Sequence, residues 1–526
     1  MPGFIPEYMT QMKIMCNTMS FQEKKCVIMI DEMAIKYCLE YNKSLDMIEG
    51  YEDLGHLGRS NRLAKLAFVI MIRGLYNKWK LPMSYFLSST GVKGEEMAKI
   101  MKSCVSELIK IGFDPVCITC DQGSANRKMF SILNATSDKP YTIIEGKKNY
   151  LIYDVPHLLK SIRNNLLNGN ILLKFSKCVK TIRFYDFKKT YEIDKSSVTT
   201  RAMCKIEKQS FKNSSKIIKK NVPPCFTGMI WSLNAVLDLY ETEQSEMLFA
   251  SPSTNFFLMT NRLCQDPIEN LFSIFRQKGG YNKNPTCRTL RYSFASVCSF
   301  GLLNCASEKS NCEEDDDIFL VSSQTPINDD IENHSQQNME SYNKSSNLIE
   351  DNDSTSEEEP DNESRTILEK CSTIYYAGYL AKKCLDKFQC DQCQTFLLKP
   401  CKDLNDKQQL LIVNKTFKDI DLNASSGLKA PSEDLVQFVS ICLNVFKHSY
   451  NQLKSEKYLV NKLMTQANNC IPEKVVQPVC AKHFEYIMRL LFIVKVFKEC
   501  KWFSKPPERN TTSQKRNPKL SILQHL

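Results

Sequence analysis

Apolar runs and the residues that end them organise the first third of the chain. Residues 26–30 (CVIMI) are continuously apolar and stop at Asp31, the pattern of a strand buried on both faces. Residues 44–51 alternate loosely between turn residues, and residues 66–75 form a second apolar run; both are expected as strands. The spacing then changes. Met97, Ile100, Met101, Cys104, Val105, Leu108 and Ile111 recur every three or four positions and Gly112 follows as a stop, which predicts an amphipathic helix from Gly94 to Ile111. Residues 115–120 (PVCITC) predict another short buried strand, again ended by an acid, Asp121. Residues 149–153 predict a further strand and residues 156–167 a helix. The order is three strands, a helix, a strand, then a strand and a helix, with acids ending the first and fourth strands.

Two later segments carry equally plain patterns. In residues 265–280 (QDPIENLFSIFRQKGG), Asp266 and Pro267 read as helix N-cap and first helical residue, and Ile268, Leu271, Phe272 and Phe275 supply an apolar stripe. Asp266 and Glu269 are three apart and share a first-turn face. Residues 486–497 (YIMRLLFIVKVF) are apolar nearly all round, which predicts a core helix of a C-terminal domain, with a dimer surface as the alternative.

Composition narrows the class. A chain 42% hydrophobic and 10% aromatic is not wholly disordered, and 526 residues leave room for about three or four domains. No membrane span is expected: the best apolar stretches are short and interrupted by Arg73, Arg489 and Lys495. The opening MPGFIPEYMT lacks a signal-peptide pattern. Twenty-three scattered cysteines, an odd number, suit reduced intracellular thiols better than a disulfide framework.

Charge adds a partner class. The formal net charge is +11, but residues 307–366 hold 18 Asp and Glu against 3 Lys and Arg. That stretch is expected as a disordered acidic linker, and the rest of the chain is correspondingly more basic, which favours a polyanion partner. Basic clusters at residues 216–220 (KIIKK) and 515–519 (KRNPK) suit phosphate contact or nuclear import, with solvated faces as the bland alternative.

Acids at neighbouring strand ends have a chemical use. Phosphodiester cleavage employs two Mg²⁺ ions about 4 Å apart, held by carboxylate oxygens. Two carboxylates on adjacent central strands, met by a third from a helix, make such a pocket in the ribonuclease-H-like arrangement. Singly, Asp31 and Asp121 read equally well as solvated strand ends, and Glu269 as part of a capping box. Elsewhere, Cys390-x-x-Cys393 and Cys480-x-x-His483 each have zinc-ligand spacing. Together they would make a Cys3His zinc site; buried reduced thiols are the alternative.

Five ordered stretches resemble P-element-type transposases, a family that includes the transposase-derived THAP-domain proteins of animals. They are IDEMAIK (residues 30–36), EYNKSLDMIEGYEDLG (40–55), CDQGSANRKMF (120–130), YDVPHLLKSIRNNLL (153–167) and QDPIENLFSIFRQKGGYNKNPTCRTLRYSF (265–294). The resemblance implies a catalytic acidic triad at Asp31, Asp121 and Glu269 holding two Mg²⁺ ions, with Asp266 as an auxiliary acid. It also implies a GTP-binding insertion, here residues 169–262, although no P-loop or G-x-G-x-x-G is present there. His157 lies in a family motif and is expected to be structural; Arg163, Asn164, Arg276 and Gln277 are candidate backbone or fold contacts. Family members usually begin with a C2CH zinc finger and a coiled coil, and only 30 residues precede Asp31, so the chain reads as lacking that DNA-reading module.

The expected fold is α/β ribonuclease-H-like, a mixed sheet with flanking helices, interrupted by a mostly helical insertion and followed by a mainly α C-terminal domain. The spans are an N-terminal remnant (1–22), the first catalytic part (23–168), the insertion (169–262), the final catalytic helices (263–306), the acidic linker (307–366), the C-terminal helical domain (367–505) and a basic tail (506–526). The expected function is a nuclear DNA transposase, homo-oligomeric on transposon ends and target DNA, cutting and joining strands with the triad. The alternative is a catalytically silent transposase-derived DNA-binding or regulatory protein.

Overall fold

A computed structural model describes residues 1–168, 171–175, 178–183, 185, 189, 223–250, 256–300, 318–319, 362–399, 429–472 and 480–504. The basic clusters at 216–220 and 515–519, nearly all of the acidic stretch 307–366 and most of 169–222 lie outside the described residues, and with them most of the segment expected to bind GTP. The chain divides into two compact units. The first comprises Met1–Lys36, Glu52–Gly58 and Ala64–Ser323, the second Tyr37–Tyr51, Arg59–Leu63 and Gln324–Leu526.

The first unit is built on a mixed sheet. Its strands are β1 (Lys25–Ala34), β2 (Leu66–Gly74), β3 (Trp79–Ser88), β4 (Asp114–Cys120), β5 (Tyr141–Ile144) and β6 (Lys147–Tyr153). Their spatial order is β3-β2-β1-β4-β6-β5. β1, β4 and β6 run parallel, while β2, β3 and β5 pair antiparallel with their neighbours. The apolar run in β1 is continuous because both faces are covered. Cys26, Ile28 and Ile30 enter one core, and Val27 and Met29 the other.

Helices supply the two layers. α1 (Pro6–Asn17), α2 (Gly94–Ile111), α3 (Ser124–Ile132) and α4 (Val155–Asn168) contribute Met12, Leu108, Met129 and Leu158 to the first core. α5 (Pro224–Ala250), α6 (Asp266–Lys278) and α7 (Cys287–Phe300) contribute Leu239, Phe275 and Phe294 to the second. α2 is the helix the spacing predicts. Its seven stripe residues are all buried, and Gly112, at φ 112°, ends it in the left-handed conformation with its N–H on the Leu108 carbonyl. Truncating a side chain such as Leu108 to Ala would cost about 2–5 kcal/mol.

Four expectations are corrected. β1 continues past Asp31 to Ala34, because β2 pairs with it along its whole length while its pairing with β4 stops at Met29. Residues 44–51 are not one continuous strand: only Met47–Glu49 is extended there, pairing antiparallel with Glu40–Asn42 as a short hairpin, and Tyr51 opens another three-residue strand, Tyr51–Asp53. β3 was not among the expected strands; it contains Pro82, which sits opposite Met71 beside a register shift between Ile70 and Met71, the kind of irregularity at which a strand proline is tolerated. α6 begins at Asp266, with Gln265 rather than Asp266 as N-cap.

α5 lies inside the span expected of the insertion, and it packs on the sheet edge. Trp231 Nε1 donates to the Leu151 carbonyl (2.8 Å), and Ser232 Oγ bridges the N–H and C=O of Tyr153 (3.0 and 2.9 Å).

The second unit is mainly helical: α8 (Asn362–Phe388), α9 (Asp391–Leu397), α10 (Glu433–Leu453), α11 (Leu459–Cys470) and α12 (Ala481–Phe503). Leu380, Phe438, Leu463 and Leu491 meet in its core. The segment expected at 486–497 lies in α12 and buries Ile487, Met488, Leu491, Phe492 and Val496. The hairpin turn caps α11. Asp46 accepts from the N–H groups of Val460 (2.9 Å) and Asn461 (3.0 Å) and from the Tyr41 hydroxyl (2.7 Å), and its own carbonyl accepts from Leu459 N–H (2.9 Å).

Among the described residues no helix is long and apolar enough to cross a membrane.

Candidate catalytic carboxylate site

Three parallel strands deliver three acids to one end of the first unit. Asp31 sits on β1 just beyond the last residue that pairs with β4; Asp121 follows β4 directly; Asp154 follows β6 directly. Ligand crevices of open α/β sheets form outside such carboxyl ends.

Local turns fix each carboxylate. Asp31 Oδ1 accepts from the Glu32 N–H at 2.7 Å. Asp121 Oδ1 accepts from the Gly123 N–H (2.8 Å) and from Asn126 Nδ2 (2.6 Å). Gly123 allows the close approach: a Cβ there would stand 2.9 Å from Asp121 Oδ1. The residues of CDQGSAN thus aim Asp121 from the start of α3.

α6 brings Glu269, and Gln265 anchors the start of that helix. Gln265 is buried; its backbone N–H donates to Asp154 Oδ1 (2.8 Å) and its Nε2 to the Ile30 carbonyl (2.6 Å), next to Asp31. Asp154 is buried too, and accepts from the His157 backbone N–H (2.9 Å) at the start of α4. The His157 ring completes the frame. Its Nδ1 lies 3.2 Å from both Asp154 Oδ2 and Gln265 Oε1, and its Nε2 lies 3.3 Å from Glu269 Oε1.

Asp31 feels the charges of both other predicted acids. Burial first, then the Asp121 and Glu269 charges, push Asp31 up to about 7, against the Glu32 N–H and the His157 charge. His157 is raised to about 9, chiefly by its hydrogen bond to Asp154, with burial opposing and the Asp154 and Glu269 charges assisting. It is therefore an imidazolium at neutral pH. Glu32 is a fifth carboxylate at this end, after Asp31, Asp121, Asp154 and Glu269. Burial and the Asp121 charge raise it, while its Oε1 accepts from the Val92 N–H at 2.8 Å.

Asp31, Asp121 and Glu269 thus lie at the same end of the first unit, Glu269 reaching it through His157. Asp266 Oδ2 accepts from the Cys264 thiol at 3.6 Å. Sequence reasoning missed Asp154, Gln265 and Glu32 and gave His157 no contact with the triad. The available signal was an acid directly after a third parallel strand. Carboxylate oxygens are the hard donors that Mg²⁺ prefers, and burial is the first cause that pushes Asp31 up to about 7.

In the second unit, Cys390, Cys393, Cys480 and His483 also come together, their ligand atoms all within 4.8 Å of one another. Cys393 Sγ lies 3.0 Å from His483 Nδ1. The described cysteines form no disulfide.

Comparison with known proteins agrees with this layout. Residues 1–134 match the family described as TNP-like, RNase H N-terminal domain, and residues 261–295 match TNP-like, RNase H C-terminal domain. Residues 362–492 match DNA transposase THAP9, C-terminal domain. The chain is 21% identical over 564 residues to a Drosophila melanogaster protein, "Transposable element P transposase", covering 91% of this chain and 68% of that one. It is 24% identical over 154 residues to the Homo sapiens "DNA transposase THAP9", covering 27% of this chain and 17% of that one. Among solved structures, "Drosophila P element transposase strand transfer complex" aligns with 57% of this chain and 81% of its own, at 17% identity and a TM-score of 0.43. With an RNase H-type sheet, both halves of the TNP-like RNase H domain and a THAP9-type C-terminal region in the expected order, the chain is a P-element-type, transposase-derived protein.

Proposed function

We propose that the protein is a DNA transposase that cleaves and joins DNA strands at the Asp31–Asp121–Glu269 site. The observation that carries this reading is geometric: Asp31 and Asp121 stand at the carboxyl ends of the paired strands β1 and β4, and His157, bonded to Asp154 at the end of β6, lies 3.3 Å from Glu269 Oε1. Carboxylates from separate elements are costly to bring together, and burial with the neighbouring acids pushes Asp31 up to about 7 even with the His157 charge opposing.

These three residues would hold the Mg²⁺ ions, which when bound would activate the attacking water or 3′-hydroxyl and stabilise the leaving oxygen. The remaining residues hold the acids in place. Gln265 ties α6 to β1 beside Asp31, His157 restrains the Glu269 carboxylate, and Asp154 orients both through buried hydrogen bonds. Asn126 and Gly123 fix the Asp121 rotamer. No covalent enzyme intermediate is required. Action in the nucleus, homo-oligomeric assembly on DNA and GTP binding by residues 169–262 belong to the same reading and rest on the family resemblance.

Incubation of the purified chain with supercoiled plasmid tests the reading. Nicked circles should accumulate with Mg²⁺ or Mn²⁺ and not with EDTA. DNA binding without any metal-dependent nicking or joining would favour the catalytically silent alternative.

A further inference from the structure

Most buried thiols of this chain are packed among apolar side chains, and their burial holds them protonated, as at Cys104 and Cys442. One group in the second unit is arranged differently. Cys390 stands immediately before α9 with Cys393 in its first turn, and Cys480 stands immediately before α12 with His483 in its first turn. Each pair therefore presents two ligand types from one helical start. The backbone repeats the same device twice, with Gln394 N–H on the Cys390 carbonyl (2.9 Å) and Phe484 N–H on the Cys480 carbonyl (3.1 Å).

The two pairs converge although 86 residues separate Cys393 from Cys480. All four ligand atoms lie within 4.8 Å of one another. Ligand atoms around one tetrahedral zinc stand about 3.5–3.8 Å apart, given Zn–S and Zn–N bonds of about 2.3 and 2.0 Å. The Cys393–His483 contact, at 3.0 Å, is a thiol hydrogen bond that opens by roughly half an ångström once the proton leaves and a metal enters. The imidazole is already oriented: the Phe388 ring lies over it with centroids 4.3 Å apart. Three sulfurs and one nitrogen select a borderline-soft ion over Mg²⁺.

We propose that Cys390, Cys393, Cys480 and His483 form a Cys3His zinc site that fastens the start of α9 to the start of α12. Four protein ligands leave no open position, so the ion is structural and takes no part in chemistry on DNA. Its work is to hold α9, only seven residues long, against the helical core of the second unit.

The test uses the full chain, purified with a reductant and without added metal. Elemental analysis should find one zinc per chain, unchanged in Asp31→Asn and in Cys470→Ser, an exposed thiol outside the group. Cys480→Ser combined with His483→Ala should remove it; Cys480 is exposed, so the fold has the best chance of surviving, which far-UV circular dichroism checks. His483→Cys should keep the metal. Cobalt(II) added to zinc-free protein should give thiolate-to-metal absorption in the wild type that disappears in the double variant. The proposal is overturned if the wild type carries no zinc and shows no cobalt–thiolate band. It is equally overturned if a folded double variant retains its zinc, or if Cys390, Cys393 or Cys480 is found in a disulfide under the same conditions.

Discussion

His157 stands between two carboxylates, with Nε2 3.3 Å from Glu269 Oε1 and Nδ1 3.2 Å from Asp154 Oδ2. Asp154 is buried at the end of β6, whereas Glu269 is half-buried on α6. The imidazole thus transmits the position of a strand end to a helix that belongs to a separate stretch of chain. Groups behind metal ligands commonly set ligand orientation, and losing one costs about 10–100-fold in metal affinity or activity.

His157→Ala should therefore lower Mg²⁺-dependent nicking by about 10–100-fold and raise the Mg²⁺ concentration for half-maximal rate. DNA affinity and the far-UV spectrum should stay unchanged. A rate loss with an unaltered Mg²⁺ titration would make His157 a general stabiliser of α4 instead.

Gly123→Ala addresses Asp121 without touching its charge. The added Cβ would fall 2.9 Å from Asp121 Oδ1 and displace it from the Gly123 and Asn126 donors. Displacements of about 1 Å at a reacting centre can cost on the order of 100-fold. Nicking should fall by at least tenfold while the melting temperature shifts little, since the residue is only partly buried before α3 and its φ of −57° suits alanine.

How much of this was legible in the sequence differs by element. α2 was legible because its seven apolar positions recur on one stripe and Gly112 must adopt positive φ, both local properties. β3 was not, because Pro82 argues against a central strand and only the partner's register shift reveals how it is tolerated. Residues 44–51 were legible in part: Met47–Glu49 is a strand, but it is short, and Ile48 and Tyr51 pack with residues of helices far downstream in the chain. At the site, Asp31 and Asp121 stood out as acids after apolar runs. Asp154 carried the same signal, an acid directly after the strand at 147–153, and was missed; Gln265 carried none, since its bond to the Ile30 carbonyl spans 235 residues and no spacing rule encodes it.

In the second unit, Asp46→Ala removes the side chain that satisfies two backbone N–H groups of α11. Losing such a cap costs about 1–2 kcal/mol, and somewhat more where the orphaned donors are buried. Hydrogen exchange should show the amides of Val460 and Asn461 losing roughly tenfold or more in protection, with α2 of the first unit unaffected. Unchanged protection would assign the stability of α11 to packing alone.

Lys495 carries a pH dependence with a definite sign. It is buried on α12, and burial first, with Lys498 assisting and Glu499 opposing, lowers it to about 8. An unfolded lysine titrates near 10.4, so between about pH 8 and 10.4 the unfolded chain binds more protons and stability rises with pH. The rise amounts to about 3 kcal/mol at most. Lys495→Met should be more stable than wild type at pH 7, and the advantage should shrink toward pH 10 in denaturant unfolding. A constant difference across that range would place the lysine in contact with solvent.

The central claim is that Asp31, Asp121 and Glu269 act together on the DNA backbone, and Asp31→Asn tests it most directly. The substitution keeps the shape and the Glu32 hydrogen bond while removing the charge. Wild-type and Asp31→Asn chains should bind a labelled DNA duplex equally, and the variant should lose at least about 1,000-fold in Mg²⁺-dependent nicking of supercoiled plasmid, as expected of a metal-holding carboxylate. Nicking by Asp31→Asn at the wild-type rate would contradict the account.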